Sequence, residues 1–393
     1  MQLTFRAIAA SVARCALCFI AFSFLTFLVT SQAVAANKTE KQLVPQDSEQ
    51  VLTVLLNAVS APSASISAEN IKPLLELVVG NVNTPNNLPQ PEKRDAGSGI
   101  FMRSTINVPF DKFLEYCYNP AISPAALFPA SVRLGYWKDG SDILKGVKLW
   151  EKAENLDSMV VLRGSEYEEI TPDHFSGCYY GYDLNRLVIL MPWNNRRVLI
   201  SISRQAAPST IGMKGAIVGE DTDWEYVYTT EEGGTARSIG WMDTYMYDSA
   251  SVAFFFDDES GSATHYAMFK WLKAGWAGLN VVKKSHIISG TERFLNGFKG
   301  VIESPELPSA GQLEAYIKDV RSQDDNAQIA SLAEYSAKLE AISKEDDILK
   351  RSDFQDVLKG GSYASTLTPE QRVSVLIKQF IKRELGKPAF ASL

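Results

Sequence analysis

Residues Thr264–Ile302 constrain this chain more than any other stretch. Thr264–Lys273 reads as a half-buried strand, and Ala274-Gly275-Trp276 ends it. After a short loop, Ser285–Ile302 has the apolar spacing of an amphipathic helix. A last strand that hands the chain to such a helix predicts a helix closing a curved sheet, with space between them. Ile287, Phe294, Phe298 and Val301 share one helix face, with Ile288, Leu295 and Ile302 beside it. Gly290 and Gly297 lie on one line at the margin of that stripe. Each glycine costs about 1 kcal/mol relative to alanine in a helix. The pair therefore predicts either close packing on a neighbour or room left for a bound molecule.

The first 36 residues read as a secretory signal. Arg6 and Arg14 supply positive charge, Cys15–Val29 is apolar apart from Ser23 and Thr26, and Ala33-Val34-Ala35 fits a cleavage site. A retained membrane anchor is the competing reading. Cleavage removes two positive charges and no acids, taking the formal net charge from −7 to −9. Such an acidic chain argues against nucleic acid or anionic lipid head groups as main partners. No later apolar run is long enough to cross a membrane, so the expected location is periplasmic or secreted. Cys117 and Cys178 remain after cleavage. In an exported protein they suggest one disulfide, worth ~4 kcal/mol by chain entropy, or else two separate buried thiols.

Three regions follow the signal. Residues 37–98 form a helical accessory segment and linker, with helical spacing at Gln50–Val59 and Asn70–Val79 and an Asn-, Pro- and Gly-rich run from Asn81 to Gly99. Ser67 is a weak start signal for the second helix, because a capping box wants Glu or Gln where Asn70 stands. Residues 99–304 carry strand candidates at Ile100–Val108, Val132–Trp137, Met159–Gly164, Gly177–Tyr182, Leu187–Met191, Val198–Arg204, Trp224–Thr229, Ile239–Tyr247, Ser251–Phe256 and His265–Leu272, and a short helix at Phe110–Tyr118. Turn residues such as Asn194-Asn195 and Gly233-Gly234 separate the strands. Close-set strands with such turns predict an antiparallel sheet and an α+β class. Residues 305–393 form a helical C-terminal extension, with helices at Ala310–Ser322, Ala327–Ile342 and Pro369–Leu385. It reads as an appendage packed on the main domain or as a module for a protein partner.

The middle region, 99–304, resembles the START-like helix-grip (SRPBCC-type) domains over about half the chain. The strand running into Val108-Pro109-Phe110 looks like that family's first strand and helix. Met191-Pro192-Trp193-Asn194-Asn195-Arg196 is similar to its Pro-Trp…Arg stretch. Ala274-Gly275-Trp276 and the following helix resemble its last strand, Gly-Trp turn and C-terminal helix. Arg197 and Ala277-Gly278 depart from the family pattern. The resemblance implies a curved antiparallel sheet gripping a long helix around a hydrophobic cavity. It also implies a lipid-like, hydrophobic or amphipathic ligand. The expected ligand-binding residues are Trp193, Arg196, Trp241, Asp243, Tyr245, Phe269, Trp271, Trp276, Phe294 and Phe298, and no cofactor is expected.

The residues themselves leave some of these placements open. Trp241, Asp243, Tyr245 and Tyr247 alternate onto one face of their strand. Turned inward, Asp243 is a carboxylate in an apolar cavity with a raised pKa; turned outward, it is wet. Phe269 and Trp271 share a face with His265, opposite Tyr266, Met268 and Leu272, and periodicity alone does not choose the inner one. G-x-S-x-G, H-E-x-x-H and G-x-x-x-x-G-K are absent from the sequence. His174, His265 and His286 are too scattered for a local metal motif. The leading expectation is an exported binding protein for a hydrophobic or amphipathic small molecule. The alternatives are a cyclase- or hydrolase-type enzyme on the same scaffold, with Asp243 and His265 the first candidates, or an envelope assembly protein acting through 305–393.

Overall fold

A computed structural model describes residues 42–61, 64–81, 89–95, 97–174, 176–236 and 240–391. The expected signal segment lies outside the described residues. Helices α1 (Gln46–Ala58) and α2 (Ala68–Val78) precede β1 (Ser98–Ile106). Short helices α3 (Phe110–Cys117) and α4 (Pro124–Leu127) lead to β2 (Val132–Trp137), α5 (Leu149–Glu154) and β3 (Val160–Ile170). Then come β4 (Cys178–Tyr179), β5 (Gly181–Trp193) and β6 (Arg196–Gln205). An excursion carries β7 (Met213–Ile217), β8 (Tyr226–Glu232), β9 (Gly234–Ala236) and β10 (Gly240–Met242). The chain returns in β11 (Tyr245–Asp257) and β12 (Thr264–Gly275), and α6 (Lys284–Ile302) follows. The C-terminal helices are α7 (Ala310–Ser322), α8 (Asp325–Ser331), α9 (Ala333–Ser343), α10 (Ser352–Leu358), α11 (Tyr363–Thr366) and α12 (Pro369–Glu384).

The class is α+β, built on a large antiparallel sheet. Its seven strands run in the order β1-β12-β11-β6-β5-β3-β2. A second sheet, β4-β7-β8, is separate. The β5–β6 hairpin closes through Asn194 (φ 45°) and Asn195 (φ 62°) between paired Trp193 and Arg196. Two left-handed residues make the turn whose twist matches its strands, and asparagine tolerates that conformation. Three expected elements are divided, the first being Gly177–Tyr182, which is β4 plus the start of β5. Ile239–Tyr247 is β10 plus the start of β11, with Ile239 itself outside the described residues, and Ala327–Ile342 breaks at Leu332 into α8 and α9. Ser67 does cap α2: its hydroxyl accepts from the Asn70 amide, so the short polar side chain suffices without a capping-box partner.

Both faces of the large sheet are covered. Its outer face presents Phe101, Ile189, Ile200, Val252, Phe254, Phe269 and Trp271 to Leu52, Leu55, Ile71, Leu74 and Leu75 of α1 and α2. Two sheet arginines tie these helices down. Arg163 donates to the carbonyls of Ala58 (2.7 Å) and Ala64 (2.9 Å), and Arg103 donates to those of Leu77 and Val78. Carbonyls at helix C-termini lack intrahelical donors, so cations there satisfy both hydrogen bonding and the helix dipole. The inner face packs on α3, α4 and α6 in one core with the C-terminal helices. Residues 43–393 form one compact unit.

The two glycines of α6 have different surroundings. A Cβ on Gly297 would lie 2.9 Å from Ala130 Cβ, so close packing accounts for it. Gly290 faces open space on the exposed side. The cysteine expectation is corrected: Cys117 and Cys178 are both free. Cys117 ends α3, whereas Cys178 lies in the second sheet with its thiol donating to the Gly233 carbonyl. Burial pushes both thiols up from their ordinary range, leaving them protonated and unreactive.

Two outcomes follow. Leu74→Ala removes a fully buried side chain beneath the outer face, and urea unfolding should register a loss of about 2–5 kcal/mol. Unfolded without reductant, both Cys117 and Cys178 should be alkylated by iodoacetamide, and peptide mass spectrometry reads each one. A 117–178 bridged peptide would contradict the structure.

Candidate functional site

Antiparallel register stacks the inner face into rows. Tyr266, Phe255, Leu199 and Leu190 lie side by side on β12, β11, β6 and β5. The next row is Met268, Ala253, Ser201, Val188 and Leu162. Then come Lys270, Ser251, Ser203, Arg186 and Gly164. Leu184 beside Glu166, and Tyr182 beside Glu168, follow. The face therefore grades from aromatic and aliphatic, through small, to charged. Alternation sends these residues inward and leaves Phe269 and Trp271 outward.

The charged groups interact across strands. Arg186 Nε lies 3.1 Å from Glu166 Oε2 but finds no aligned hydrogen-bond acceptor. The Tyr182 hydroxyl donates to Glu168 Oε2 at 2.6 Å. Ser203 and Ser251 hydroxyls are 2.8 Å apart. Tyr118 lies near Ser201 and within the field of Arg186. Burial raises the Glu166 carboxyl, with Arg186 opposing and Glu168 adding. Burial lowers the Lys270 ammonium, with Glu168 opposing and Arg186 adding. An acid and a base that both resist ionisation mark a poorly solvated space.

Helix α6 contributes aromatics. Phe294 and Phe298 each stack on Phe128 at 4.7 Å, and Phe298 meets Phe113 edge-on. These two expected ligand residues thus sit on α6. The others sit elsewhere. Trp193 is half-buried against the core beneath α1 and α2. Arg196 is held at the β6 edge by the Asp257 carbonyl (2.7 Å) and Glu259 (3.1 Å). Phe269 and Trp271 belong to the outer face, with Phe269 stacked on Phe101 at 4.3 Å and Trp271 Nε1 donating to the Glu92 carbonyl. Tyr245 stacks on Tyr247, and Trp276 is half-buried just past β12. The Trp241 side chain lies outside the described residues. The inward placement of Asp243 is corrected: it is exposed between β10 and β11, because the strand expected there is interrupted at that point. Asp243 and His265 also lie at opposite ends of the β11–β12 pair and form no dyad.

Glu166, Glu168, Arg186 and Lys270 escaped the sequence reading. Lys270 alone carried a signal, as a charge among Met268, Phe269, Trp271 and Leu272; the other three sit among further polar residues of β3 and β5. Among the described residues, no cluster of three His, Cys, Asp or Glu side chains could hold a metal ion, and no helix is long and apolar enough to cross a membrane. No protein-family model matches the chain, and no curated protein matches it.

A small recess of about 20 Å³ lies elsewhere, lined by Arg133, Glu225, Tyr226, Tyr228 and Lys378 among others. That is room for one water. It marks the seam where α12 docks. Lys382 and Glu225 pair there fully buried, Gln379 donates to Glu225 at 2.7 Å, and Lys378 donates to the Pro129 carbonyl at 2.9 Å. Burial pushes Lys378 down to about 7, against the pull of Glu225. Between pH 7 and its ordinary value of 10.5, the unfolded chain holds more protons at this group than the folded one. This lysine therefore makes stability rise with pH across that window. Lys378→Met should flatten the rise in urea midpoint relative to wild type. An unchanged slope would mean that Lys378 is charged throughout.

Proposed function

We propose that residues 98–302 form a helix-grip domain of the START-like kind, and that the exported protein binds an amphipathic small molecule between α6 and the inner face of the sheet. The observation carrying this reading is charged side-chain surface that stays partly accessible although protein surrounds it. Arg186 and Glu166 lie deep in the protein, yet each keeps 19% of its side-chain area accessible. Lys270 and Tyr182 are likewise surrounded and only half-buried. Accessible area inside a protein is space a ligand can occupy.

The contacts of α6 support a bent sheet. Edge strands β1 and β2 would stand roughly 29 Å apart in a flat sheet of this size. Within six residues of α6, about 9 Å of its axis, Gly297 meets Ala130 just before β2, and Glu303 just past the helix accepts from the Asn107 amide just after β1. Arg293 also donates to Thr171 just past β3 at 3.2 Å. A sheet curled around the helix satisfies all three contacts.

The graded rows suit a molecule with unlike ends. Ser201, Ser203, Ser251 and Ala253 are the small side chains of the middle rows, the positions where a ligand can approach the sheet most closely. The apolar rows would bury the ligand's body, at ~25 cal/mol per Å² before ordering costs. The charged row would orient its polar end. Export rests on the charge and apolar pattern of residues 1–36.

Native mass spectrometry of protein purified without detergent, followed by solvent extraction, should detect a copurified molecule. Ser203→Trp or Ser251→Trp, placed in the floor, should release it while leaving the circular dichroism spectrum unchanged. A protein that emerges empty and binds no amphiphile in solution rejects the reading. A second reading, acid–base catalysis on the same scaffold, is favoured only by the raised acid Glu166 and lowered base Lys270 sharing one space. It requires turnover of the captured molecule to be lost in Glu166→Gln.

A further inference from the structure

We propose that the ligand's polar end is a single negative charge of the carboxylate class, and that Lys270 is its anchor. This rests on the binding function proposed above. The inner face carries two cations and two acids in adjacent rows. Arg186 is matched by Glu166. Glu168 is held by the Tyr182 hydroxyl. Lys270 alone has neither a carboxylate within 4.0 Å nor a hydrogen-bond acceptor among the described residues; its interactions are the longer-range fields of Glu168 and Arg186. A desolvated ammonium without a partner is costly, and interior cations are normally paired.

The neighbourhood completes a binding position. Lys270 is the register partner of Ser251, and Ser251 is that of Ser203, whose partner on the far side is Arg186. Two cations thus flank a floor of two hydroxyls, and Arg186 Nε is itself buried without an aligned acceptor. A carboxylate placed over the serines would accept from Lys270 Nζ, and its second oxygen lies toward Arg186. The charge count favours a monoanion. Glu166 and Glu168 line the same face, so a phosphate dianion would meet two acids and only one unmatched cation. The apolar rows beginning at Met268 and Ala253 continue away from the floor. The class is therefore a carboxylate with an apolar body.

The test uses dodecanoate and its uncharged counterpart dodecan-1-ol as probes, titrated calorimetrically into the delipidated full-length protein. Wild type should bind the acid at least tenfold tighter than the alcohol. Lys270→Met should lose that preference, and Lys270→Arg should keep it. Lys270→Met should also melt no lower than wild type, since it removes a buried charge, so lost binding is separable from misfolding. Equal affinity of wild type for acid and alcohol, or full acid preference in Lys270→Met, overturns the anchor while leaving the binding function intact. Failure of wild type to bind either probe, together with the absence of any copurified molecule, overturns both.

Discussion

The register of the seven-stranded sheet is the constraint on which the rest depends. Side chains alternate faces along each strand, so a slip of one residue would exchange the two surfaces. With the observed pairing, Ser203 lies between Ser251 and Arg186, and Lys270 lies beside Ser251. Two strand pairs distant in sequence, β5–β6 and β11–β12, thereby assemble one polar floor. Shifting β12 alone would bring Phe269 or Trp271 into it and drive Lys270 under the N-terminal helices. The large apolar side chains of the outer face oppose such a slip, because it would turn Phe101, Phe254 or Phe269 away from α1 and α2.

Covering both faces changes what an aromatic strand means. A sheet wet on one side would have Trp271 and Phe269 facing its only core. Here α1 and α2 create a second core on the outer face, and Arg163 and Arg103 hold them there through helix-end carbonyls. The most hydrophobic positions of β11 and β12 go to that solid packing. The inner face keeps smaller and more polar groups. The aromatic wealth of the chain therefore marks stability on one side of the sheet more than recognition on the other.

The C-terminal helices are attached by polar as well as apolar contacts. Ser374 donates to the Arg133 carbonyl, Tyr363 accepts from the Tyr228 amide, and Lys382 pairs with Glu225. Buried ion pairs add little net stability against apolar replacements, but an unmatched partner is strongly penalised. Such a seam selects one docking arrangement. It joins α12 to β2, α4 and the second sheet, and so supports the same α4 segment that meets α6 through Ala130. None of these pairs is adjacent in sequence, so the seam was invisible to local pattern.

Much of the element structure was legible because it is local. The Asn194-Asn195 turn, Thr368 with Pro369 at the start of α12, and the spacing of α6 are written in neighbouring residues. The break at Asp243 was not, because strand propensity ran through it and only the fold's excursion into β9 and β10 interrupts it. The sequence by itself determined the α+β class, the antiparallel strands and the apolar stripe of α6, since periodicity and turn chemistry act over a few residues. Only the tertiary structure decided which face of each strand is inner, that the two thiols stand apart, and that Glu166, Arg186, Ser203 and Lys270 share one face of the sheet. Those outcomes depend on long-range register and on what covers each face, and period-two alternation is blind to both.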